Sequence, residues 1–124
     1  MSGQAIILVA IGGALGAVGR YLTGLILKTA SGFPWATMSV NILGSFLMGL
    51  VIGWLSRQNG GSEALRLFVA VGILGGFTTF SAFSMDLFDL LQKRDMVATA
   101  LYLGGSLLGG LLAFIIGFMA LRAG

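Results

Sequence analysis

The chain has 124 residues, of which 57% are hydrophobic and 9% charged, with mean hydropathy +1.03 and a formal net charge of +3. This balance excludes an ordinary soluble domain and fits an integral membrane protein. Cysteine and histidine are both missing, which excludes disulfides, thiol chemistry, thiolate metal sites and the commonest general base.

In chain order, the start Met1-Ser2-Gly3-Gln4 lacks the basic region of a signal peptide, and the first apolar segment is too long for one. A membrane-spanning helix needs about 20 apolar residues. Four segments qualify, from about Ala5 to Leu27, Trp35 to Leu55, Leu65 to Leu91 and Met96 to Leu121. The linkers at 28–34, 56–63 and 92–95 are short and polar, and Pro34 stands where a helix can begin. Phe33, Trp35 and Trp54 fall near the expected interfaces, where aromatic belts form. The spans leave no room for a soluble domain, so residues 1–124 read as a single four-helix transmembrane domain.

The third segment is too long for a straight crossing. As one helix it would reach roughly 40 Å, against a hydrocarbon core of about 30 Å. Tilt would absorb the excess, and so would a break in the middle, where the glycines sit. Its middle, Gly72-Ile73-Leu74-Gly75-Gly76-Phe77-Thr78-Thr79-Phe80-Ser81-Ala82-Phe83-Ser84, puts glycines before hydroxyls interleaved with phenylalanines. Irregular backbone at membrane depth survives only inside protein or beside a polar cavity, so the stretch reads as a broken helix next to an ion or substrate path.

Charge gives no orientation. One side carries Arg57, Arg66 and Arg122, and the other Lys28, Lys93 and Arg94. A chain without a positive-inside bias is free to insert both ways, which permits an antiparallel homodimer; a weak bias that the count misses is the alternative. Four spans enclose little by themselves, which also argues for an oligomer. The glycines at 12, 13, 16 and 19, and at 104, 105, 109 and 110, suit close helix packing.

Polar residues inside the spans are the functional candidates. Arg20 either snorkels to the interface or faces a vestibule and attracts anions. Asn41 either bonds a neighbouring helix or donates to an anion. Phe80 and Phe83 are spaced to share one helix face, and ring edges carry the positive end of the quadrupole. Thr78, Thr79 and Ser81 add hydroxyls, and Tyr102 and Ser106 lie on one face of the fourth span. Such neutral donors suit a small hydrated anion that must be desolvated and then released. Asp86, Asp89 and Asp95 lie away from the membrane centre, so no proton relay is visible and passive conduction is favoured. The glycines at 72, 75 and 76 lack the ending of a phosphate-binding loop.

These residues resemble the CrcB-type fluoride channel family, also called Fluc. Three blocks carry the likeness: residues 12–21, residues 37–45, and the Gly72–Ser84 stretch, which is similar to the family's Thr-Thr-Phe-Ser-Thr-Phe signature. The resemblance implies an all-α, antiparallel, dual-topology homodimer with two anion pores. It implies a structural sodium ion on the dimer axis, held by the backbone carbonyls of Gly75 and Thr78. It places the fluoride path along Asn41, Thr79, Phe80, Ser81, Phe83, Tyr102 and Ser106, with Arg20 in the vestibule. It further implies passive fluoride export across the bacterial cytoplasmic (inner) membrane, with lipid and a second copy as partners and no nucleic acid. Ala82 departs from the signature, where threonine is usual. The alternative is a small dual-topology multidrug transporter, which would need a glutamate in the first span, and none is there. An inert membrane scaffold is a third reading. An enzyme is not expected, because no nucleophile and base come together.

Overall fold

The computed structural model describes residues 2–28, 32–58 and 62–123. Parts of the first two linkers, at 29–31 and 59–61, lie outside the described residues, as do Met1 and Gly124. Among the described residues the chain is all helical. Helix α1 is Gly3–Ile26 and α2 is Trp35–Arg57. Glu63–Leu65, Arg66–Leu74 and Gly75–Phe77 run on as one helical rod, here α3, and Arg66–Leu74 within it winds as a wider π helix. Helix α4 is Phe80–Gln92 and α5 is Met96–Ala123. The expected spans therefore hold to within two residues at each end, but the third is interrupted at Thr78 and Thr79 and not at the glycines as expected, because Gly72, Gly75 and Gly76 stay helical and the backbone extends only after Phe77.

Four of the five helix starts carry a side-chain cap, and α2 instead begins after Pro34 without one. Ser2, Ser62, Thr79 and Asp95 precede α1, α3, α4 and α5, and their side-chain oxygens accept from N–H groups three residues on, at 3.1 to 3.3 Å. The turn from α4 to α5 is tight. Arg94 takes φ 59°, and the N–H groups of Arg94 and Asp95 bond the carbonyls of Leu91 and Leu90. That is the double bond pattern in which a left-handed residue closes a helix, here with arginine where glycine is commoner.

Two glycine seams set the packing. Helix α1 lies on α3 and α2 lies on α5. At Gly16 a methyl group would run into the Ile73 carbonyl oxygen, and at Gly49 into that of Phe114. Both obstacles are backbone, so neither can move aside, and the helices approach this closely only without side chains there. The Glu63–Arg66 and Lys93–Asp89 ion pairs, at 2.9 and 3.1 Å, are well exposed and contribute little. Elsewhere the outer surface is apolar, with Ile6, Leu15, Leu108 and Leu111 among the exposed side chains. Four helical stretches, Gly3–Ile26, Trp35–Arg57, Glu63–Gln92 and Met96–Arg122, are long and apolar enough to cross a membrane.

Candidate functional site: a cleft at the break in the third span

The site grows from the two residues that leave the helix. Thr78 has φ −88° and ψ 154°, and Thr79 has φ −150° and ψ 121°, both extended. Extending the backbone here removes the helical bonds that would cross the break, and side chains from two other helices replace part of them. The Thr79 N–H, which a continuous helix would give to Gly75, donates instead to Asn41 Oδ1 at 2.7 Å, while Asn41 Nδ2 donates to the Thr79 carbonyl at 3.0 Å. This two-point pairing fixes which way the amide points, because the backbone N–H requires the oxygen. Among the described residues nothing accepts the second hydrogen on Asn41 Nδ2, which is left for another acceptor. From α1, Arg20 Nε donates to the Gly76 carbonyl at 3.2 Å. Thr78 turns its own hydroxyl back to the Leu74 carbonyl at 3.0 Å.

Beside this break lies an open cleft of about 230 Å³, lined by Asn41, Ser45, Thr78, Thr79, Phe80, Phe83, Ser106 and Leu107. Among the described residues no charged side chain lines it. The Phe80 and Phe83 rings are 5.8 Å apart and tilted by 40°. They differ sharply in setting, since Phe83 is 5% exposed and Phe80 is 75% exposed. Ser106 Oγ is buried without a hydrogen-bond partner among the described residues. Thr79 Oγ1 accepts the Ala82 N–H at 3.1 Å and lies 3.3 Å from Ser81 Oγ.

The fold thus brings Asn41, Thr79, Phe80, Phe83 and Ser106 to one cleft, with Ser81 exposed at its edge through Thr79. Tyr102 sits behind them. It is wholly buried, stacks obliquely on Phe83 at 5.1 Å, meets the Phe33 ring edge-on at 5.7 Å, and donates to Asp86 Oδ2 at 3.1 Å. Arg20 lies apart, in a second cavity of about 400 Å³ that also includes Tyr21, Lys28, Thr37, Thr79 and Ala82. Thr79 borders both spaces, so the Asn41–Thr79 pairing lies where they meet. Sequence reasoning missed Ser45, although it follows Asn41 by one helical turn. It also missed the Asp86 carboxylate as the partner of Tyr102, three residues past Phe83.

Among the described residues no three acidic, histidine or cysteine side chains cluster as metal ligands. A cation here would need backbone or hydroxyl oxygens, which suits a hard ion such as sodium. The Gly75 and Thr78 carbonyls fit that chemistry. A continuous helix would give them the N–H groups of Thr79 and Ala82, and both groups are bonded elsewhere.

Comparison with known proteins points one way. The family model for CrcB-like protein, Camphor Resistance (CrcB), matches residues 7–118. A fluoride-specific ion channel FluC from Sphingopyxis alaskensis is 49% identical over 116 residues, 92% of each chain. The protein of that name from Novosphingobium aromaticivorans is 46% identical over 118 residues, covering 92% of this chain and 93% of its own. One from Hyphomonas neptunium is 46% identical over 119 residues, 94% of each chain.

Proposed function

Since the chain belongs to the CrcB family, we propose that it is a passive, fluoride-specific ion channel of the bacterial cytoplasmic membrane, with no enzymatic activity, that lowers intracellular fluoride by export. The observation that carries this reading is the cleft at the break. It combines a buried hydroxyl, Ser106, and an oriented amide, Asn41, each with bonding capacity left over among the described residues, and the Phe80 and Phe83 rings. Neutral donors and ring edges stabilise an anion without binding it so strongly that it cannot leave. A lysine or arginine in the cleft would hold it too long, and none lines it.

The working unit is an antiparallel homodimer. The cleft is open, and Phe80, one of its walls, is 75% exposed, so one chain provides half of a lined path. A second copy in the opposite orientation, permitted by the balanced flanking charges, supplies the other walls. The Gly75 and Thr78 carbonyls would hold a structural sodium ion, whose charge ties the two broken helices together. Ser81 and Thr79 continue the hydroxyl track at the cleft edge, Tyr102 backs Phe83, and Arg20 with Lys28 makes the second cavity attractive to anions before they reach the cleft. There is no carboxylate in α1 to serve as the membrane-embedded proton carrier that a coupled transporter of the alternative kind would need.

Phe80→Ile tests this assignment. The ring is exposed in the single chain, so its loss leaves each subunit folded while removing a wall of the path. The expected result is loss of fluoride efflux from proteoliposomes with dimer assembly retained. Loss of assembly would instead assign Phe80 to packing.

A further inference from the structure

We infer that Arg20 is a positioning residue for the helix break, acting through the hydrogen bond of its Nε–H to Gly76, in addition to any attraction its charge exerts on anions. The inference deepens the sodium reading above, and only one arm of its test rests on that reading.

Three observations converge. First, the Gly76 carbonyl is among those that the break strips of a helical donor, because extended backbone at Thr78 and Thr79 separates α3 from α4. Arg20 Nε supplies one, at 3.2 Å, from 56 residues away. Second, the arginine is delivered rigidly. A methyl group on Gly76 would lie 2.5 Å from the Gly13 carbonyl oxygen, one on Gly16 would collide with the Ile73 carbonyl, and one on Gly19 would sit 3.6 Å from the Phe77 ring. The backbones of α1 and α3 therefore touch at Gly13 and Gly16 and the Phe77 ring packs on Gly19, so the backbone of α1 is held against the end of α3 where Arg20 reaches it. Third, the carbonyl it holds lies between Gly75 and Thr78, the two proposed sodium ligands. Fixing Gly76 limits how far the peptides on either side can rotate, and a cation at the C-terminal end of α3 also complements the helix dipole.

Charge and donor can be separated by substitution. Glutamine places its side-chain nitrogen the same number of bonds from Cα as arginine places Nε, so Arg20→Gln keeps a donor there and removes the charge. Arg20→Met places a methyl group at that point and removes both.

The experiment is amide hydrogen exchange, read by mass spectrometry on the full-length protein in detergent micelles, with peptides covering residues 74–82. Losing a charge-assisted bond to the break should speed exchange there by roughly tenfold or more in Arg20→Met, and by less than about threefold in Arg20→Gln. Equal exchange in the two variants, or faster exchange in Arg20→Gln, overturns the inference. If Arg20→Met exchanges fast throughout and has plainly unfolded, Arg20→Gln decides alone: protection at 74–82 within threefold of wild type supports the donor role, and loss there overturns it. Repeating the wild-type measurement with sodium replaced by N-methylglucamine tests the cation separately. Unchanged exchange at 74–82 would contradict the sodium site, while the role of Arg20 would still stand or fall with the two variants.

Discussion

Ser106→Ala should separate function from stability in opposite directions. The residue is 8% exposed, its Oγ has no hydrogen-bond partner among the described residues, and it lines the cleft. An unpaired buried hydroxyl costs roughly 1–3 kcal/mol. Replacing it with hydrogen should therefore leave the fold as stable as before, or more stable by up to about 1 kcal/mol, against the usual direction for a buried truncation. Conduction should respond the other way. A hydrogen bond to a charged partner is worth about 1.5–3 kcal/mol, and each 1.4 kcal/mol is about tenfold in rate, so complete loss would slow flux by roughly 10- to 100-fold. Water entering the open cleft replaces part of the bond, which makes a loss near tenfold the expected value. The assay is fluoride efflux from proteoliposomes at matched protein density, followed with a fluoride electrode and paired with thermal melting in detergent. Wild-type flux together with a lowered Tm would refute the reasoning, because it would make the hydroxyl a packing group.

Other residues give further tests. Asn41→Ala removes both bonds to Thr79 and leaves a backbone N–H and a carbonyl unpaired, at roughly 1–3 kcal/mol each, so Tm and fluoride flux should fall together; an unchanged Tm would mean that the pairing does not hold the break. Gly16→Ala forces α1 away from the Ile73 carbonyl and should destabilise by about 1–3 kcal/mol or more, while Gly24→Ala, which meets nothing within 4 Å, should be near neutral in the same melting experiment. Ala82→Thr puts a hydroxyl into the Arg20 cavity and not into the cleft, so efflux should change by less than about threefold; a tenfold gain would place residue 82 on the rate-limiting part of the path.

The four spans were legible because lipid imposes a length and an apolarity that few other constraints mimic. That a break occurs was legible for a related reason, since glycines and clustered hydroxyls are poor material for a lipid-facing helix, but its place was not: Gly75 and Gly76 stay helical and Thr78 and Thr79 leave the helix. Nor were the partners of the break. Asn41 could be read as a donor to an ion or as a bond to another helix, and the structure shows the second while leaving one hydrogen for the first. Periodicity places Phe80 and Phe83 on one face, and their rings do approach, but it says nothing of the difference in exposure between them. The same spacing argument joined Tyr102 to Ser106. Both are buried, yet the tyrosine hydroxyl goes to Asp86 while the serine borders the cleft. The π-helical winding of Arg66–Leu74 left no mark in an apolar run, because hydrophobicity does not distinguish a bond to the fourth preceding carbonyl from one to the fifth. Gly49 and Gly53 passed unnoticed in α2 for want of a clustered pattern, although they let α5 approach as closely as the α1 glycines let α3.

Selective, passive fluoride conduction can be measured in a single efflux experiment. Purified protein in liposomes loaded with equal fluoride and chloride, without a proton gradient, should release fluoride rapidly once a potassium ionophore lets charge balance, while chloride stays inside. Release of both anions at similar rates would contradict this, as would no fluoride release from vesicles shown to contain the folded protein.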